Sequence, residues 1–200
     1  KIIDRFIEDI HEMKETLIYG IDSLDNPYFY EHDIIFEGAQ GLMLDQNMGE
    51  FPHVTRSNTG LKNVIQIAIE NNITDLDVLY ITRCYKTRHG AGSLKNELPN
   101  KPYPGIKDET NIPNEHQGTI RFAYLDIDQI IEFINKDLSS IEKDSTESNI
   151  TIKYKIGITC LDQTDSVLYY EGGKLNTISS SRFYEVFESK GIKTLTRFKH

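Results

Sequence analysis

The sequence predicts an α/β fold: a mixed, mainly parallel sheet flanked by helices, with a C-terminal hairpin. Three observations lead to this prediction. Apolar residues recur at steps of three and four in three separate stretches, as they do on one face of a helix. Short apolar runs at 34–36 and 78–81 enclose the second of these helices, an order typical of a parallel strand–helix–strand unit. Apolar and polar residues then alternate strictly from 150 to 160, which indicates a half-buried strand.

Composition and charge exclude several classes of protein. The 200 residues are 38% hydrophobic and 26% charged, which is typical of a globular chain with one large or two small domains. The net charge of −9, without a block of Lys and Arg, argues against a nucleic-acid partner. No apolar run approaches the roughly eighteen residues of a membrane span. The two cysteines, Cys84 and Cys160, form no CxxC pair, so we expect neither a disulfide framework nor a zinc site, and a reducing, cytoplasmic setting.

The first half of the chain predicts two helices and two strands. An amphipathic helix covers 1–19 and is stopped by Gly20. The run 34–36 predicts a buried strand. A second helix follows Gly60 and ends near Asn71, before the strand at 78–81.

The middle of the chain is less regular. Residues 84–119 contain four of the six prolines and no clear periodicity, so we expect a long functional loop there, unless elements within it have escaped the pattern. Asp126 is the predicted N-cap of a third helix, with Gln129 three residues further on. Its apolar stripe ends at Leu138, and we interpret the polar, serine-rich stretch 136–149 as an exposed connection.

The C-terminal part predicts a strand, a hairpin, a short helix and a last strand. The alternating strand runs from 150 to 160. Two apolar runs, 167–170 and 175–178, flank Gly172-Gly173 and form the clearest hairpin signal. A short helix at 181–189 precedes a strand at 192–197.

Two neighbouring segments carry candidate binding residues. In the segment Glu37-Gly38-Ala39-Gln40-Gly41, the small residues around Gln40 permit close approach of a ligand to an amide that both donates and accepts. A tight turn with a surface glutamine is the alternative. The hydroxyls and amides before the second helix favour an anion site, although Ser57, Asn58 or Thr59 could simply cap that helix.

Histidine gives little further direction. The six histidines lack the spacing of a metal cluster, and a catalytic role for His53 or His89 is a weaker alternative than a structural one. Cys160 ends an apolar face and is most simply a small core residue. Asp162 has the alternative role of opening a turn.

Taken together, these segments resemble the adenylosuccinate synthetase family. Phe36-Glu37-Gly38-Ala39-Gln40-Gly41, Leu44-Asp45 and the stretch from Phe51 to Thr59 match its long central motif (FEGAQG, LLD, YPxVTSSNT) in order and spacing. The similarity continues with the motifs Tyr85-Lys86-Thr87-Arg88-His89-Gly90-Ala91-Gly92, Glu97-Leu98, Gly118-Thr119, Arg121, Tyr124-Leu125-Asp126 and Thr159-Cys160-Leu161-Asp162.

The resemblance implies a fold, a reaction and partners. Residues 1–200 would be the central and C-terminal part of a larger P-loop-NTPase-like α/β domain. The reaction implied is the GTP-dependent joining of L-aspartate to inosine monophosphate, with Mg2+ at the GTP phosphates. A homodimer is also implied. The composition already argues for a cytoplasmic setting and against a membrane or a nucleic acid as partner.

The resemblance also implies roles for individual residues. Gln40, Thr55 and Arg121 would contact the nucleoside monophosphate. Gly118 and Thr119 would belong to the loop that closes on aspartate. Asp162, beside Cys160, would accept hydrogen bonds from guanine N1–H and N2–H, a base edge that adenine lacks.

Departures from the family pattern keep a second hypothesis open. The family's Gly-Asp-Glu-Gly-Lys-Gly loop and catalytic His do not occur in these 200 residues, so we expect no catalytic residue or metal ligand in this stretch, and Mg2+ and GTP phosphates to be held by an N-terminal part outside it. The aspartate loop is shortened and has one Arg, and Cys160 replaces a Lys. The alternative is therefore a divergent, non-catalytic nucleotide-binding or regulatory relative.

Overall fold

The computed structural model describes residues 2–16, 33–38, 40–107 and 118–195. The chain divides into two compact units, residues 1–37 and 38–200. In the first unit, helix α1 (Ile2–Thr16) confirms the predicted N-terminal helix within the described residues.

The strand predicted at 34–36 is wrong. Residues 33–38 form no strand, and Ile35 is 89% exposed. A strand requires a neighbour for its backbone N–H and C=O groups, and no described strand pairs with this run. Three apolar residues in a row therefore predicted burial that the described part of the chain does not provide.

The second unit contains a wholly parallel sheet and a mixed sheet, with helices packed against them. Its elements are α2 (Lys62–Glu70), β1 (Asp75–Arg83), β2 (Tyr85–Arg88), β3 (Glu97–Leu98), β4 (Arg121–Asp126), α3 (Ile127–Glu147), β5 (Thr151–Thr159), β6 (Ser166–Glu171), β7 (Lys174–Ser179), α4 (Tyr184–Glu188) and β8 (Thr194–Leu195). The parallel sheet has the order β1-β5-β8, and the mixed sheet has the order β2-β4-β6-β7 with β3 also paired to β4. The α/β prediction is confirmed.

The two longest strands bring distant segments to one edge. β1 and β5 pair in parallel register from Asp75 opposite Thr151 to Arg83 opposite Thr159. The segments that follow them, beginning at Cys84 and Cys160, therefore leave the sheet side by side. Carboxyl ends of parallel strands are where ligands bind in open α/β folds.

The mixed sheet explains the segment predicted as a long loop. Within 84–119, β2 and β3 pair antiparallel with β4, so part of this segment is regular structure. Both strands are short, four and two residues, which is why they left no periodicity in the sequence.

Helix α3 corrects a second expectation. The stretch 136–149 is not an exposed connection, because the helix continues to Glu147. Ile134, Asp137, Ile141 and Ser145 form its buried stripe at helical spacing. Two of these four residues are polar, so the pattern resembled a solvent-exposed segment. The predicted cap is confirmed, since Asp126 Oδ1 accepts from the N–H of Gln129 at 3.0 Å.

Local signals in the C-terminal part are confirmed as well. β6 and β7 form the hairpin around Gly172 and Gly173, which both have positive φ, 56° and 72°. The predicted short helix is α4, preceded by a 3-10 turn at Ser180–Arg182.

The core of the second unit has two apolar clusters. The larger lies among the ends of the strands and α4, where Phe183, Phe187, Leu125 and Ile156 are almost fully buried. The smaller packs α2 and α3 against the beginnings of β1 and β5, around Ile65, Ala68 and Ile141. The larger cluster includes Ile156 and Ile158 and so holds the carboxyl end of β5, which Cys160 and Asp162 follow.

Candidate functional site

The loop that precedes α2 is folded around one buried carboxylate. Asp45 is only 2% exposed. Its Oδ1 accepts from the backbone N–H groups of Asn47 (2.8 Å) and Met48 (3.2 Å), and its Oδ2 from that of Thr59 (2.6 Å). The Thr59 hydroxyl in turn donates to the carbonyl of Gly41 at 3.1 Å. Asp45 thus closes the loop from Gly41 to Thr59, a role that its position in the motif alone did not indicate.

None of the three residues considered as caps performs that function at α2. The N-cap residue is Leu61, whose N–H donates to Asp137 Oδ1 of α3 at 2.9 Å. The Asn58 side-chain oxygen instead accepts hydrogen bonds from the side-chain amides of Gln46 and Asn47. Its NH2 group donates to Asn63 Oδ1 at 3.1 Å. The loop is therefore a self-supporting structure on the surface, rather than a simple helix cap.

Gln40 immediately precedes this loop, and Thr55 lies within it. Gln40 is exposed, with φ at 67°. Thr55 is half-buried, and its N–H donates to the carbonyl of Leu44 at 2.6 Å. No described residue forms a side-chain hydrogen bond with the Gln40 amide or the Thr55 hydroxyl, so both groups are available to a ligand.

Positive φ angles single out two of the residues assigned by resemblance. Five described residues other than glycine have positive φ, and three of them are asparagines, which tolerate this conformation. The other two are Gln40 and Cys160. A left-handed backbone costs roughly 1–2 kcal/mol at such residues and is concentrated at binding sites.

Arg121 is engaged within the protein. Its Nε donates to Glu97 Oε1 at 2.7 Å and its Nη2 to Glu97 Oε2, a bidentate pair. Its Nη1 also donates to the carbonyls of Gly90 and Gly92, both at 2.9 Å. The hydrogen bond with Arg121 lowers the pKa of Glu97. A ligand phosphate or carboxylate would have to displace Glu97 to reach this guanidinium.

A second arginine connects this network with the loop before α2. Arg88 donates through Nε to the carbonyl of Ala91 (3.1 Å) and through Nη2 to that of His53 (3.0 Å). Gly92 has φ at 104°, and a Cβ there would lie 2.2 Å from Arg88 Nη2. Ser93 also donates to Glu50. The structure therefore brings together the motifs around His53, Arg88 and Arg121.

Gly118 and Thr119 mark the end of the predicted aspartate loop. Both are exposed, and Gly118 has φ at 64°. The residues before them, 108–117, lie outside the described part, so their prediction as aspartate-binding residues stays a prediction.

The remaining candidates lie at the carboxyl end of β5. A cleft of about 520 Å³ opens there, with Ile158, Leu161 and Leu195 as apolar lining. Its polar and aromatic lining consists of Asp162, Thr164, Asp165, Ser179, Ser180, Ser181 and Tyr184. Asp162 belongs to a 3-10 turn, Leu161–Gln163, and is exposed.

The segment that follows β1 forms hydrogen bonds with this turn. Cys84 Sγ donates to the carbonyl of Cys160 at 3.2 Å, and Tyr85 Oη to Gln163 Oε1 at 2.9 Å. Burial raises the pKa of the Cys84 thiol to about 12, with a smaller contribution from Cys160, so the thiol keeps the proton it donates. A Cβ at Gly105 would lie 2.3 Å from the carbonyl of Gln163. The turn is thus fixed before any ligand arrives.

Two negative results concern metals and membranes. Within the described residues, no group of three His, Cys, Asp or Glu side chains could hold a metal ion. No helix among those residues is long and apolar enough to span a membrane.

Fold and site together define an α/β protein in which the segment with Cys160 and Asp162 follows the carboxyl end of a parallel strand, while the loop with Thr55 precedes α2. Residues 1–122 match the family described as adenylosuccinate synthetase. The chain belongs to the adenylosuccinate synthetase family.

Curated relatives agree with this family. The adenylosuccinate synthetase of Fusarium vanettenii is 32% identical over 202 residues, covering 91% of this chain and 49% of that protein. That of Lactobacillus johnsonii is 36% identical over 102 residues, covering 48% of this chain and 23% of that protein. The chain thus spans at most about half the length of these relatives.

A solved structure shows the same fold. The fully ligated adenylosuccinate synthetase from Plasmodium falciparum superposes with a TM-score of 0.58 at 18% identity, covering 80% of this chain and 46% of that chain. At this identity the similarity concerns the fold alone.

Proposed function

We propose that this protein acts in the GTP-dependent ligation of L-aspartate to inosine monophosphate, the reaction that forms adenylosuccinate in purine biosynthesis. Membership of the family is the observation that carries the proposal. In this reaction the γ-phosphoryl group of GTP is transferred to the purine O6. The aspartate amino group then attacks C6, and phosphate leaves. We place the protein in the cytoplasm as a homodimer.

The described residues would bind and orient the substrates. Gln40 and Thr55 would contact inosine monophosphate from the Asp45-centred loop, and their side chains are free of described partners to do so. Gly118 and Thr119 would contact aspartate. Asp162 would accept the guanine N1–H and N2–H donors at the cleft, next to the backbone of Cys160.

Arg121 would contribute to anion binding only after exchanging partners. In the structure it is bound to Glu97 and to two carbonyls. Its side chain and that of Glu97 are both partly exposed, so a ligand anion can reach the guanidinium and compete with Glu97 for it. Its engagement also supports the alternative function, a non-catalytic nucleotide-binding or regulatory relative.

GTP phosphates and Mg2+ would be held elsewhere. The sequence Gly-Asp-Glu-Gly-Lys-Gly does not occur in the 200 residues, and the described residues contain no group of three His, Cys, Asp or Glu side chains placed to hold a metal ion. We therefore assign no reaction step to a metal bound by this chain.

The test of this proposal uses protein that contains the complete natural sequence. Purified protein is incubated with inosine monophosphate, L-aspartate, GTP and Mg2+, and adenylosuccinate is quantified by liquid chromatography. Omission of each substrate in turn provides the controls. Formation of adenylosuccinate only in the complete mixture supports the ligase. Nucleotide binding without any product would instead support the non-catalytic alternative.

A further inference from the structure

The cleft after β5 contains a carboxylate that the proposed function does not use. Asp162 and Asp165 both line it, three residues apart. Neither side chain accepts a hydrogen bond from any described residue, and both are exposed. Guanine presents one edge with two adjacent donors, which a single carboxylate satisfies. The second carboxylate is therefore available to a different group of the same ligand.

The position of Asp165 is set by its neighbours on both sides. Its carbonyl accepts from the N–H of Ser180 at 3.0 Å. The Thr164 hydroxyl donates to the carbonyl of Ser166 at 2.8 Å, and Ser180 Oγ donates to the carbonyl of Thr164. The backbone that carries Asp165 is thus joined to the opposite wall of the cleft and needs little reorganisation to bind.

The shape and lining of the cleft suit a nucleoside rather than a metal ion. Ile158, Leu161 and Leu195 supply apolar surface, and Tyr184 supplies the aromatic ring. A purine can pack against such surface while its edge is held by Asp162. Ribose attached to that purine carries two neighbouring hydroxyl groups, and a carboxylate accepts from both.

We infer that Asp165 is a ribose-binding residue, whose carboxylate accepts hydrogen bonds from the 2′- and 3′-hydroxyls of the guanosine held by Asp162. The inference deepens the proposed function and rests on its guanine assignment. It adds a specificity, since the cleft would select ribonucleotides. A bound nucleotide removes water from the Asp165 carboxylate, and a dideoxy sugar offers no hydroxyl donors in its place.

The experiment compares nucleotides on the protein with all of its natural sequence. Affinities for GTP, 2′,3′-dideoxy-GTP and ATP are measured by titration calorimetry in the wild type, Asp165→Ala and Asp165→Asn. Asp77→Ala serves as the control, because Asp77 is an exposed aspartate on β1. Removing a negative charge raises the affinity for every triphosphate, so the ratio of GTP to dideoxy-GTP affinity is the decisive readout.

We expect the wild type and Asp77→Ala to bind GTP about tenfold or more tightly than dideoxy-GTP. In Asp165→Ala this ratio falls close to one, with Asp165→Asn intermediate, while the preference for GTP over ATP is retained. If the wild type prefers GTP over ATP but binds GTP and dideoxy-GTP equally, the role of Asp165 is overturned while the guanine assignment stands. Equal affinity for GTP and ATP in the wild type overturns the guanine assignment as well.

Discussion

Gln40 and Cys160 show how single residues are held in a backbone conformation that is costly for their residue type. Both have positive φ without being glycine or asparagine. Cys160 is held there by the Cys84 thiol and by contacts with the core. Gln40 has an exposed side chain, so its conformation is imposed by the loop and not by packing.

The first prediction concerns Gln40. In the natural protein, Gln40→Ala should raise the KM for inosine monophosphate several-fold, because the loss of one or two hydrogen bonds to a ligand costs about 1–3 kcal/mol. The melting temperature should stay unchanged, since Ala bears the same backbone strain and the amide has no described partner. Steady-state kinetics and thermal unfolding are compared with those of Gln66→Ala, an exposed glutamine of α2. An unchanged KM with a lower melting temperature would mean that Gln40 is a turn residue.

The second prediction concerns base selection by Asp162. Asp162→Asn should weaken GTP binding by about 2 kcal/mol, roughly thirtyfold, because the amide NH2 replaces an acceptor that faces a guanine donor. The preference for GTP over ATP should narrow, since adenine presents a lone pair at N1. Nucleotide titrations of both proteins measure this effect, with Asp77→Asn as the matched control. GTP affinity that is equal in variant and wild type would leave Asp162 as a residue of the turn.

Among the secondary-structure elements, α2, α3 and β1 are joined by one buried carboxylate. Asp137 of α3 accepts from the N–H of Leu61 at 2.9 Å and from the hydroxyl of Tyr80 in β1 at 2.8 Å. Burial raises the pKa of Asp137, and this effect exceeds the lowering of the pKa by the two hydrogen bonds. Asp137 therefore fixes the position of the N-terminus of α2 and, with it, the end of the Asp45-centred loop.

The third prediction concerns the space beside Asp137. A Cβ at Gly60 would lie 2.0 Å from Asp137 Oδ1, whereas a Cβ at Gly41 would meet nothing within 4 Å. Gly60→Ala should therefore destabilise the protein by roughly 1–3 kcal/mol, because the carboxylate must leave its two donors. Gly41→Ala should change stability by less than about 0.5 kcal/mol. Denaturant unfolding of the two variants tests this difference. Equal stabilities would show that the Asp137 side chain can move away from a Cβ at position 60 at little energetic cost.

The fourth prediction concerns pH. Because the pKa of Asp137 is raised on folding, its contribution to stability is fully present below the usual carboxyl pKa and is lost as the pH rises through the raised value. Asp137→Asn carries no such charge. The stability of this variant relative to the wild type should therefore increase from acid to neutral pH. Denaturant unfolding across that range measures the difference, and a difference independent of pH would contradict the raised pKa.

At the scale of the larger unit, the parallel register of β1 and β5 brings the segments that begin at Cys84 and Cys160 to one edge of the sheet. Cys84 and Cys160 follow the paired residues Arg83 and Thr159, and their segments then hold each other through Tyr85 and Gln163. The phosphate-binding sequence of the family is not part of these 200 residues. Under the proposed function, the residues that bind the base and the monophosphate would therefore be separate from those that hold the GTP phosphates.

The fifth prediction follows from that separation. A chain limited to the 200 residues should form no adenylosuccinate from inosine monophosphate, aspartate, GTP and Mg2+, because catalysis requires a preorganised cradle for the phosphates. Circular dichroism provides the control that the chain is folded. Product formation by the folded 200-residue chain would show that the phosphates are bound by residues we have assigned to other roles.

Local patterns determined much of the structure and of the candidate site. The cap at Asp126, the hairpin around Gly172 and the alternating strand β5 each depend on neighbours a few residues away, so their patterns predicted them. The order and spacing of the motifs likewise predicted the family.

Long-range partners were decided only by the tertiary structure. Asp45 and Asp137 are charged residues that composition would place on the surface, yet folding buries both and supplies backbone donors from Asn47, Thr59 and Leu61. The run 34–36 is apolar, yet no described strand pairs with it. Glu97 reaches Arg121 across 24 positions, and Asp165 shares a cleft with Tyr184. A sequence pattern records what each residue prefers, whereas the energy of a buried charge depends on donors that only the folded chain brings to it.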